Sequence, residues 1–81
     1  MMIDLLDELI LQQKEKLFFI ARRIIPNITE DDLLQPNDFP DLENHPFFRF
    51  EEGILDGLRV AKSALLAKKA QEKESLEMNF L

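Results

Sequence analysis

Cysteine, tryptophan and tyrosine are missing from this chain, and there is a single histidine, His45. Disulfide staples and thiolate metal sites are therefore excluded, and one chain cannot gather a cluster of histidine ligands. Glycine occurs only at Gly53 and Gly57, and proline only at 26, 36, 40 and 46. Helix breakers this few and this grouped leave two long stretches free to run as helices. No apolar run approaches the roughly 20 residues of a membrane span. The opening Met1-Met2-Ile3-Asp4 lacks the basic region of a signal peptide, and the expectation is a cytoplasmic protein without a membrane association.

Cations are missing where anions gather. Between Asn27 and Pro46 there are six acids (Glu30, Asp31, Asp32, Asp38, Asp41 and Glu43) and neither Lys nor Arg. The other ten acids balance the ten bases, so the net charge of −6 resides in this middle segment. Without a basic patch beyond one helix end, nucleic acid is not an expected partner.

With 81 residues there is material for one small domain, residues 1–81. A chain this short buries only about 60% of its unfolded surface. Small scaffolds gain stability from disulfides, metals or a second subunit, and the composition points to the last.

Residues 3–25 read as the first helix. Ile3, Leu6, Ile10, Leu17, Ile20 and Ile24 repeat as heptad positions, with Gln13 in one of the slots. Leu9 widens this stripe on one side, and Leu11, Phe18 and Ile25 widen it on the other. The arc spans about half the circumference, wider than the roughly 100° of a surface helix. Two neighbours are inferred: the second helix of the chain and a helix from another chain. Asp4, Asp7 and Glu8 open the helix and Arg22 and Arg23 close it, as the helix dipole favours, before Pro26 stops it.

Residues 46–75 read as the second helix, with Pro46 at its first position. Phe47, Phe50, Ile54, Leu58, Ala61 and Leu65 share one face. Beside them run Gly53, Gly57, Ala61 and Ala64. Together these residues are the expected helix-packing seam, against which another backbone would lie closely. Phe48, Leu55 and Leu66, about 100° away, are assigned to a second contact between subunits. The acidic start of the first helix would meet the basic end of the second (Lys68, Lys69, Lys73), and Arg22 and Arg23 would approach Glu51 and Glu52. Charge order thus predicts an antiparallel pair. Residues 76–81 read as a tail.

The connector, residues 26–45, carries a helix-start signal at Thr29 followed by three acids, predicting one short helical turn over 30–35. Leu33, Leu34, Phe39 and Leu42 are expected to anchor it to the helices. The alternative is a docking strip for a basic or helical partner, formed by Leu33, Leu34, Asp38, Phe39, Asp41 and Leu42. The acids have no EF-hand spacing and no glycine among them, so a calcium loop is not indicated. His45 has no catalytic companions and reads as a cap or a surface residue, with Asn44 the other candidate cap of the second helix. Neither a catalytic residue, a metal ligand nor a cofactor site is expected, and the chain is not expected to be an enzyme.

The fold class expected is all-α: an antiparallel two-helix hairpin with a long acidic connector, dimerising into a four-helix bundle. The function expected is that of a helical protein–protein interaction module, an adaptor, assembly factor or regulatory subunit, acting as a homodimer or with another helical protein. The alternative is a metal- or ligand-binding bundle that uses the connector carboxylates.

Overall fold

The structure is a computed structural model that describes residues 2–79, with side chains described through residue 73. Helix α1 spans Met2–Ile24. Two 3₁₀ turns follow, Asp32–Leu34 and Pro36–Asp38, and then a one-turn helix α2, Pro40–Glu43. Helix α3 spans Pro46–Asn79. No strand occurs among the described residues.

α1 and α3 pack antiparallel along their lengths. The register is set by Asp7, which pairs with Lys62, and by Gln13, which bonds to Glu51. α1 stops where expected: Ile25 N–H still donates to the Ala21 carbonyl at 2.8 Å, but Pro26 has no N–H to continue the ladder. At its other end α3 runs on to Asn79, through residues expected as tail. It is 34 residues long against 23 for α1, so it overhangs its neighbour. Leu81 and Phe80 lie outside the described residues.

The core is small and sits at the connector end. Leu17, Ile20 and Ala21 of α1, Ile28 and Leu42 of the connector, and Phe48 and Leu55 of α3 are its buried hydrophobic residues. Ile10, Phe18, Ile24, Ile25, Leu33 and Phe39 pack around it. Leu42 and Phe48 are fully buried and lock α2 against the start of α3. The connector is thus folded back over the hairpin instead of looping free. Its backbone hydrogen bonds are local, each within a tight turn, as in Leu33 N–H to Glu30 O at 3.1 Å and Phe39 N–H to Pro36 O at 3.0 Å.

One expectation about α3 is overturned. Its side toward α1 is not the glycine-flanked stripe. Phe48, Glu51 and Leu55 are buried there, with Leu58, Lys62 and Leu65 half-buried. Phe48 and Leu55 therefore belong to the intrachain core, not to a contact between subunits, and Leu66 is exposed. The physical reason is a polar pair. Glu51 and Lys62 interrupt the apolar stripe that really faces α1, and each finds its partner on α1.

Candidate docking surfaces

Three surfaces follow from this packing: a polar seam between the long helices, a groove under the connector, and an apolar face opposite the groove.

The polar seam centres on Glu51, only 4% exposed. The Gln13 amide donates to the Glu51 carboxylate at 2.7 Å and to its backbone carbonyl at 2.9 Å. Lys16 approaches the second carboxylate oxygen at 2.9 Å while keeping about half its side chain in water. Hydrogen bonds from Gln13 and then Lys16 hold the Glu51 carboxyl below its ordinary value, against the opposing effect of burial. Among the described residues no buried side-chain polar atom lacks a partner. Gln13 in a heptad slot was the signal for this seam. A polar residue at a core position asks for a mate, and Glu51 supplies it.

The charge pairing expected at the other end takes a different form. Glu51 meets Lys16 and Glu52 meets Arg49, its neighbour on the same helix. Arg22 and Arg23 lie over the rings of Phe18 and Phe19. At the acidic start of α1 it is Lys62 that reaches Asp7.

The groove lies where the connector meets both long helices. Its volume is about 590 Å³. Leu17, Phe18, Leu33 and Leu55 supply apolar lining, and Glu15, Glu30, Asp31, Glu52 and Asp56 outnumber Lys14 and Arg59. The connector residues divide unequally. Leu42 is core, Leu33 and Phe39 are half-buried against it, and Leu34 stands 79% exposed at the groove. Asp38 and Asp41 are exposed. Three of the four anchors therefore close the core end, as expected of anchors, and only Leu34 presents an uncovered apolar side chain. Thr29 and Asp32 cap the first turn reciprocally: Asp32 N–H donates to Thr29 Oγ1 at 3.3 Å, and Thr29 N–H donates to Asp32 Oδ2 at 3.0 Å. His45 caps α3, its Nδ1 accepting from Phe48 N–H at 3.3 Å. Among the described residues no group of three or more His, Asp or Glu side chains is placed to hold a metal ion.

The third surface is the seam predicted from spacing. In the single chain it is open. Phe47 is 52% exposed and Phe50 66%. Ile54, Gly53, Gly57, Ala61 and Ala64 are exposed, and Leu58 and Leu65 are half-buried at its inner edge. An added Cβ at either glycine would meet nothing within 4 Å. This face lies about 90° around α3 from the α1 contact. Helical geometry sets it on the side away from the connector, beside Leu5 and Leu9 of α1, which are also exposed. No helix among the described residues is long and apolar enough to cross a membrane. No family model, curated protein or solved structure matches this chain.

Proposed function

We propose that this chain is a small, non-enzymatic helical interaction module, an adaptor, assembly factor or regulatory subunit, whose hairpin works docked against companion helices. The partner is a second copy or another helical protein, and docking completes a four-helix bundle. The observation that carries this reading is surface. The chain exposes 6399 Å², whereas a folded monomer of this mass exposes about 5,000 Å². Its radius of gyration of 17.3 Å exceeds the roughly 12 Å of a compact domain of this length. Of the eleven large hydrophobic side chains exposed among the described residues, six (Leu5, Leu9, Phe47, Phe50, Ile54 and Val60) lie on one side of the hairpin. Large apolar patches of this kind mark contact sites in water.

Sedimentation equilibrium of the untagged chain across the micromolar range tests the reading. A concentration-dependent complex, or stoichiometric capture of a helical protein from the source cell that survives high salt, supports it. A helical monomer at every concentration, with no captured protein, refutes it.

A ligand-binding reading has one observation in its favour, the groove of about 590 Å³, which falls within the size range of small-molecule sites. Its acidic surround would select a cation. A rise in melting temperature with calcium or an organic diamine, or metal retained through purification, would favour it over the interaction module.

A further inference from the structure

We propose that the open face of α3 binds a second copy of the same chain, the two α3 helices lying antiparallel about a two-fold axis beside Gly57. This rests on the interaction-module reading and adds the partner, the face and the orientation.

Area comes first. Leu5, Leu9, Phe47, Phe50, Ile54 and Val60 are all exposed large hydrophobics. At on the order of 100 Å² each, and with the intervening Gly and Ala surface, they approach the roughly 800 Å² per partner of a specific interface. The groove side offers two such side chains, Leu11 and Leu34, among carboxylates.

Charge points the same way. Along α3 from Phe50 to Ala67 the charged residues are Glu51, Glu52, Asp56, Arg59 and Lys62. Helical spacing sets all five toward α1 or the groove, leaving the sector of Phe50, Gly53, Ile54, Gly57, Val60 and Ala61 uncharged as far as Lys68, which closes it four residues after Ala64. A chain of net charge −6 repels its own copy through most of its surface. This sector lets two copies touch without setting like charges together, as an isologous interface requires.

The order of sizes gives the orientation. Phenylalanine lies early in the sector, at Phe47 and Phe50, and alanine late, at Ala61 and Ala64, with Ile54 and Val60 three residues to either side of Gly57. A two-fold beside Gly57 sets Phe50 toward Ala64 and Gly53 toward Ala61. A parallel arrangement would set phenylalanine on phenylalanine and leave a gap between the alanines. Neither glycine is required by the packing of the single chain, since a Cβ there meets open space. Against a second helix, the missing Cβ atoms allow close approach of the backbones.

The natural lack of cysteine makes single-cysteine variants clean reporters. Sedimentation of the full chain should show a dimer at micromolar concentration. Under mild oxidation Gly57→Cys should form a covalent dimer, and Arg59→Cys, beside the groove, should not. Gly57→Leu should stay helical by circular dichroism and raise the dimer dissociation constant about tenfold or more. A dimer that cross-links through Arg59→Cys and not through Gly57→Cys overturns the proposed face while sparing the interaction-module reading. A helical chain that never leaves the monomer overturns the self-association itself, and with no other partner captured it overturns both.

Discussion

Glu51 occupies a position where a helix stripe would ordinarily place leucine, and its surroundings decide what a substitution does. Because Gln13 and Lys16 lower its carboxyl below the ordinary value near 4.5, its contribution to folding is complete above that value. It is lost as pH falls through the lowered one. The melting temperature of the native chain should therefore drop below about pH 4.5, and that of Glu51→Gln should drop less steeply over the same interval. An equal drop in both would show that Glu51 is not the responsible group. Gln13→Leu removes the donor but leaves the carboxylate in place, and should lower the melting temperature at pH 7 although it adds a hydrophobic residue to a core stripe. Adjacent phenylalanines offer a sharper contrast. Phe48 is fully buried, so Phe48→Ala should destabilise by about 3–5 kcal/mol, a loss that a domain of this size cannot absorb. Phe47→Ala should leave the fold of the single chain within about 0.5 kcal/mol and weaken association instead. Urea melts at high and low protein concentration separate the two effects.

At the scale of elements, the connector is the part whose role is least evident from composition. Acids and prolines read as a solvated loop, yet Ile28 and Leu42 are buried and Leu33 and Phe39 pack on the core. The turn over 30–35 was legible, because Thr29 and the acids behind it spell a helix start. It closes as a 3₁₀ turn at Asp32–Leu34, bounded by Pro36. The caps at its two ends are testable separately. Thr29→Ala and His45→Ala each remove a side-chain acceptor from a turn or helix start and should cost about 0.5–2 kcal/mol by chemical denaturation. Asp38→Asn with Asp41→Asn, both exposed, should change stability by less than about 0.5 kcal/mol each. A large loss there would mean that these acids, not the four apolar anchors, hold the connector down. The same packing accounts for part of the wide apolar arc on α1. Phe18 and Ile25 pack against the core, while Leu11 stays exposed on their flank and Leu5 and Leu9 on the other.

For the whole molecule, the quantity of interest is how much surface one chain leaves uncovered. Its long axis is 58 Å against about 20 Å across, a rod that no arrangement of two helices could make compact. Small-angle scattering at low concentration should return a radius of gyration near 17.3 Å if the chain stands alone. Association by stacking two open faces should raise the mass twofold with a smaller relative rise in radius, because the second hairpin lies alongside the first. The melting temperature should also rise with protein concentration, since a partner bound only by the folded chain stabilises it by mass action.

Helix content, the antiparallel order and the positions of the breaks were legible in residue order alone. They depend on local terms: 3.6-residue periodicity, proline stops, caps and the sign of charge at helix ends. Which face of α3 turns toward α1 was not, because Phe47 with Ile54 and Phe48 with Leu55 form equally good apolar stripes at the same spacing. The choice fell to tertiary partners many residues apart: Gln13 and Lys16 around Glu51, Asp7 across from Lys62, and Leu42 wedged against Phe48. A stripe broken by charge looks solvent-facing until the groups that neutralise it arrive from another helix, and only the folded chain brings them together.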